Sequence, residues 1–302
     1  MQLVANAWRV ERGIMRRKIL IGLLIAALVG VVVTVLVLAQ QTHPSADIVA
    51  GSSFITNIIQ DVANNKVEPR TLIPPGVCPG HYDVKPSDIE ALANSTALFI
   101  HNYQQNYENV TGAIEAAENP DLIITVLNVT GNWMVPAVQA EAVDKIAQVL
   151  GEIDPENAAY YQQGAADREQ AILAYGEQVK NTFQQAGVDG VKVICAEMQA
   201  GFVRWAEFDV VATYGRPEDL SVLQMEELIA DAKEAGVALV IDNLQSSATA
   251  TSAAMAQDIG AIPVTISNFP GGFENTETWE KAIDKNVDLL LEALNEWEAQ
   301  YG

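Results

Sequence analysis

Cys78 and His81 stand three residues apart in PGVCPGHYDVKPSDI, residues 75–89, in a chain with only three histidines and two cysteines. A thiolate and an imidazole on one loop can hold a soft or borderline metal ion: thiolate suits copper(I) and zinc, imidazole suits zinc and copper. The second cysteine belongs to a similar pair, Cys195 and Met198 with Glu197 between them, at the end of an apolar run. A thioether there adds a further donor for copper(I). Two other readings of the cysteines stay open, a disulfide, favoured by an oxidising location and an even count, and two ordinary thiols. A bridge between Cys78 and Cys195 would fix a cleft shut, which suits a structural protein better than a binder.

Other groups are weaker candidates. His101 follows an apolar run, and His43 lies in a polar stretch that keeps it solvated. Trp133, Tyr82, Tyr103 and Tyr107 suit a cleft wall, although aromatics at strand ends more often pack. Arg204 and Arg216 raise an oxyanion alternative, with the chain's own carboxylates as the competing partners. Catalysis is not expected. Cys78 and His81 are too close in one loop to align nucleophile and base, no third orienting group is indicated, and neither a phosphate loop nor a His-Glu-x-x-His helix occurs.

These residues need a scaffold, and the chain supplies alternating strand and helix signals. Residues 47–50, 72–73, 97–100, 122–127, 191–195, 210–212, 237–241 and 264–266 read as short buried strands. Between the first four and the last four runs one long helix, opened by Asp154-Pro155 and closed by Gly187, with Tyr161, Ala165, Ile172, Val179 and Phe183 at helical spacing. Ser87 with Glu90, and Ser221 with Gln224, read as capping boxes. The fold class expected is α/β: two lobes with mostly parallel sheets joined by one long backbone helix, plus an N-terminal transmembrane helix. Ligands of such sheets lie beyond the carboxyl ends of the strands, where the loop bearing Cys78 and His81 falls.

The run from Ile19 to Ala39 is apolar throughout and long enough to span a bilayer. Arg16, Arg17 and Lys18 before it direct the rest of the chain outside the cell. Met15 is an alternative initiator. A retained anchor fits this length better than a cleaved signal, and no cysteine follows for a lipid anchor. The organisation expected is a cytoplasmic N-terminus (1–18), a transmembrane anchor or signal (19–39), a tether (40–46), an N-terminal α/β lobe (47–153), a linking helix (154–187) and a C-terminal α/β lobe (188–302). Localisation follows as a single-pass cell-membrane protein with its C-terminal domain on the extracytoplasmic surface. Five of seventeen basic residues and one of 39 acidic residues lie in the first 45 positions, which leaves the remainder at net −26. Such a surface repels nucleic acid and anionic lipid. Asn94, Asn109 and Asn128 head N-x-S/T sequons, used only on an exported chain, and their number suits an archaeal or eukaryotic surface glycoprotein.

The order of parts resembles the substrate-binding proteins of ABC importers for zinc and manganese. The resemblance rests on Pro75-Gly76 through Pro86-Ser87-Asp88-Ile89-Glu90-Ala91-Leu92, on Asp154-Pro155-Glu156-Asn157-Ala158-Ala159-Tyr160-Tyr161, and on Gln245 with Ser247 after a strand. It implies two lobes on one rigid helix, with a metal held in the cleft between them. The ligand pattern departs from the family. Its first histidine corresponds to Gly80, one residue before His81; no histidine occurs in Gly131-Asn132-Trp133-Met134-Val135-Pro136; the third falls near Glu197 or Met198; and the closing carboxylate matches Asn268. The donors that remain are Cys78, His81, Cys195, Glu197 and Met198. The expected function is a membrane-tethered receptor that captures zinc, manganese or copper, or a complex of one, for an ABC permease and ATPase. The alternatives are a metal-free surface, adhesion or assembly component on the same fold, or a receptor for a non-metal ligand.

Overall fold

The computed structural model describes residues 47–216, 219–246 and 249–301. The expected transmembrane anchor lies outside them; among the described residues no helix is long and apolar enough to cross a membrane.

Among the described residues eight strands form two four-stranded sheets. The first holds β1 (Ile48–Ala50), β2 (Arg70–Thr71), β3 (Ala97–His101) and β4 (Ile123–Leu127); the second holds β5 (Lys192–Ala196), β6 (Asp209–Tyr214), β7 (Leu239–Asn243) and β8 (Ile262–Ile266). The orders are β2-β1-β3-β4 and β6-β5-β7-β8, the same pattern twice, and each neighbouring pair is parallel. Parallel sheets are covered on both faces, which explains why the inner strands β1, β3 and β7 are buried along their whole length. In each sheet the chain reverses its direction of winding beside the first strand, and the carboxyl ends there frame the crevice.

Helices α1 (Ser53–Ala63), α2 (Pro86–Ala93), α3 (Glu108–Ala117) and α4 (Pro136–Ile153) surround the first sheet; α6 (Ala200–Trp205), α7 (Val222–Ala235), α8 (Thr249–Ile259) and α9 (Trp279–Tyr301) surround the second. Between them runs α5 (Ala158–Ala186), 29 residues after a 3₁₀ turn at Pro155–Asn157. At 1.5 Å per residue it extends about 44 Å. Tyr161, Ala165, Ile172, Val179 and Phe183 form its buried stripe, and Gly187 ends it in the left-handed region at φ 71°. Two glycines let neighbours approach: a Cβ at Gly164 would meet the Val62 carbonyl oxygen at 2.6 Å, and one at Gly176 would run into Pro136.

One apolar cluster passes through both lobes and the helix, joining Phe54, Trp133 and Met134 to Phe202, Phe269 and Trp279. Two smaller clusters lie on the outer faces of the sheets. Two local expectations are corrected. The second strand is Arg70–Thr71, two residues before the expected 72–73, and Leu72 and Ile73 are buried just past it. The helix read as capped by Ser87 begins two residues earlier, with Lys85 at the N-cap and Pro86 at the first helical position. Asp88, rather than Glu90, therefore receives the Lys85 backbone N–H at 3.0 Å. The Ser221–Gln224 box forms as read, with Gln224 N–H on Ser221 Oγ at 3.3 Å.

Candidate metal centre

The loop after β2 turns through Pro74, Pro75 and Gly76 into a single 3₁₀ turn, Pro79–His81, closed by His81 N–H on the Cys78 carbonyl at 3.0 Å. Asn109 braces it from α3: both of its amide hydrogens are committed, to the Pro79 and Tyr82 carbonyls at 2.9 Å each. Of the other two sequon asparagines, both exposed, Asn94 donates one amide hydrogen, to the Glu90 carbonyl at 2.8 Å. Tyr82 donates to the buried Asp88 carboxylate at 2.8 Å, and burial together with that bond pushes its phenol up to about 12. The loop is thereby pinned on both flanks, with Cys78 half-buried and His81 exposed.

Across the crevice Arg216, two residues past β6, reaches this loop. Its guanidinium donates to His81 Nε2 at 3.1 Å and to Cys78 Sγ at 3.4 Å. Because guanidinium has no acceptor, the proton of a neutral His81 sits on Nδ1 and its Nε2 lone pair points at the arginine. A sulfur and an imidazole nitrogen of the first lobe thus face the two terminal nitrogens of one guanidinium. The expectation that Arg216 pairs with a carboxylate is not met among the described residues, where its hydrogen bonds run to Cys78 and His81.

Deeper in, the lobes meet through carboxamides. Asn132 holds its own turn by accepting Met134 N–H at 2.8 Å, and its two amide hydrogens reach the Met198 carbonyl and Asn268 Oδ1, each at 2.8 Å. Gln245 accepts Asn268 N–H at 3.0 Å and donates to Ser267 Oγ at 3.0 Å and to the Pro75 carbonyl of the first lobe at 2.7 Å. Gln199 donates to Asn243 Oδ1 at 3.2 Å and to the Ile266 carbonyl at 3.1 Å, leaving its own oxygen buried and unpartnered. Trp279 Nε1 donates to the Trp133 carbonyl at 3.1 Å, and the rings of Phe54 and Phe269 lie 5.6 Å apart. The floor is built of carboxamides and hydroxyls, most of whose oxygens already accept hydrogen bonds, and the buried Asp242 carboxylate beside it accepts Asn243 N–H at 2.7 Å and the Ser246 hydroxyl at 3.2 Å.

The five expected donors do not gather at one point. Strand alternation separates Cys195 from the crevice: Val193 and Cys195 face the shared core, Ile194 and Ala196 the outer cluster. Cys195 is fully buried, and desolvation pushes its thiol up to about 12. Both cysteines are free thiols, so no disulfide joins the lobes. Glu197 and Met198 occupy a 3₁₀ turn past β5 with exposed side chains. Among the described residues no three His, Cys, Asp or Glu side chains are grouped to hold a metal ion. His101 is 3% exposed, bonded through Nε2 to Ser52 Oγ at 2.7 Å, stacked on Tyr103 and edge-on to Trp133. Burial holds its pKa down at about 3, which keeps the ring neutral. The amide floor does not follow from charged and sulfur donors alone; its signal is the row of Asn, Gln and Ser residues at and just past strand ends, at 243, 245, 267 and 268.

A family model described as the zinc-uptake complex component A, periplasmic, matches residues 48–293. Solved structures share the fold. One named as ZnuA is 19% identical with a TM-score of 0.69, covering 82% of this chain and 98% of that one. The periplasmic zinc-binding protein TroA from Treponema pallidum is 16% identical with a TM-score of 0.68 and the same coverage. FpvC from Pseudomonas aeruginosa, solved in complex with Mn²⁺, is 18% identical with a TM-score of 0.68, again covering 82% and 98%.

Proposed function

From the premise that this chain belongs to the periplasmic zinc-uptake component A family, we propose that it is the solute-binding receptor of an ABC importer. Its cargo is a transition metal, zinc, manganese or copper, or a complex of one, taken up in the interlobe crevice. Cys78 and His81 are the protein's donors, and ligands that the cargo brings with it or water complete the shell; Glu197 and Met198, on a turn of the opposite lobe, do not reach it. The single observation that carries the reading is that Cys78 Sγ and His81 Nε2 both turn into the crevice onto one group, the Arg216 guanidinium. Cys78 must lose its proton to ligate, so capture strengthens as pH rises. A membrane anchor or signal at 19–39 and a tether at 40–46 hold the receptor beside its permease and ATPase. No catalytic step is assigned to it.

Titration of the full chain with zinc against a chromogenic chelator tests this. Wild type is expected to bind one equivalent, with at least tenfold loss in Cys78→Ser and in His81→Ala and none in Cys195→Ser. Undiminished binding in both loop variants removes the site.

A second reading, a surface or assembly component that carries no metal, is favoured by one contact. Asn132 and Asn268 join the lobes directly at 2.8 Å. No zinc uptake by wild type under reducing, metal-clean conditions, together with self-association, is its expected outcome.

A further inference from the structure

We propose that Arg216 sets the charge of the cargo: the crevice takes a metal ion that still carries carboxylate ligands, so the entering complex is anionic. This rests on the metal reading above and adds its substrate class.

A guanidinium is permanently charged and planar, and its fork of donors fits a carboxylate with two parallel hydrogen bonds. In a chain of net charge −22, with 39 acidic side chains, Arg216 is instead directed across the crevice onto the Cys78 sulfur and the His81 imidazole nitrogen. Neither offers the paired oxygens that its fork fits. None of the salt bridges among the described residues includes it, whereas the half-buried Arg168 of α5 takes two carboxylates. The aromatic wall beside it, Tyr107 over Gly80 with Tyr103 5.8 Å from Tyr107, offers no anion either.

A bare dication at Cys78 and His81 would bond each donor at about 2.0–2.3 Å. It would then lie against a fixed positive charge with nothing between them. An anionic chelate resolves the conflict. Its metal exchanges two weakly held ligands for Cys78 sulfur and His81 nitrogen, the thiol proton leaves to solvent, and a carboxylate of the chelate takes the guanidinium that those two atoms release. No bond of the chelate itself need break, and Arg216 keeps a partner throughout.

Isothermal titration of the full chain with three probes tests this: zinc chloride, zinc nitrilotriacetate, which presents carboxylates and open metal positions together, and nitrilotriacetate alone. Wild type is expected to bind zinc nitrilotriacetate at least tenfold more tightly than free zinc and to ignore the metal-free chelator. Arg216→Gln should lose that preference at least tenfold while binding free zinc more tightly, since the opposing charge is gone; that gain also shows the variant is folded. Arg216→Lys, which keeps the charge but not the fork, should fall between. Equal preference in wild type and Arg216→Gln, or tighter free-zinc binding by wild type, overturns the inference and leaves the metal reading standing. Failure of wild type to bind either zinc probe overturns both. Arg216-dependent binding of nitrilotriacetate alone overturns the metal reading and makes the crevice a plain anion site.

Discussion

At the scale of single residues, the place of the loop that bears Cys78 and His81 was legible because it follows a strand end; what the two side chains bind is the proposal made above. The contact made by Arg216 was not legible: a guanidinium in so acidic a chain suggests carboxylate partners, and only the packing of two lobes brings it to a loop 135 residues away. Cys195 misleads for a local reason, since its side of β5 follows from two-residue alternation and from which helices cover each face. His101 gives a pH prediction. Its native pKa of about 3 is below the ordinary 6.5, so the unfolded chain binds a proton below pH 6.5 that the native chain excludes. The stability it contributes is present above pH 6.5 and declines as pH falls from there toward 3. Between pH 7 and pH 5, urea unfolding of wild type is expected to lose about 2 kcal/mol more than that of His101→Asn. Parallel pH curves for the two proteins would show that the imidazole is not kept neutral.

Helices and strands were read more securely than their ends. The long helix was visible from one cap, one stop and five apolar positions, each a local signal. The short strand β2 was displaced by two residues because Leu72 and Ile73 are buried without pairing, and apolarity alone cannot tell burial from a ladder. Close contacts between helices leave no mark in periodicity. At Gly176 the α4–α5 packing puts Pro136 where a side chain would go. Gly176→Ala should therefore destabilise by about 1–3 kcal/mol, although alanine is the better helix former by about 1 kcal/mol. Chemical denaturation decides; a gain in stability would mean the two helices part easily. Ser221→Ala, which removes the observed N-cap, is expected to cost about 1 kcal/mol by the same measurement.

For the whole molecule, the shared core and the polar ties across the crevice decide how far the lobes move. Arg168 in α5 pairs with Asp61 of α1 at 2.8 Å and with Glu280 of α9, and its guanidinium lies 5.9 Å from the Trp279 ring. One side chain thus ties both lobes to the long helix. Arg168→Met should cost about 1–2 kcal/mol, less than a fully buried pair because Asp61 is 41% exposed. Arg216, Asn132 and Gln245 carry side-chain contacts that would have to part for the lobes to separate. The account stands on the claim that cargo metal is bound by the Cys78 sulfur. Near-ultraviolet absorption of the full chain titrated with cobalt(II) under reducing conditions tests it most directly. A sulfur-to-cobalt charge-transfer band is expected in wild type and in Cys195→Ser and should vanish in Cys78→Ser. A band that survives Cys78→Ser, or none in wild type, would contradict it.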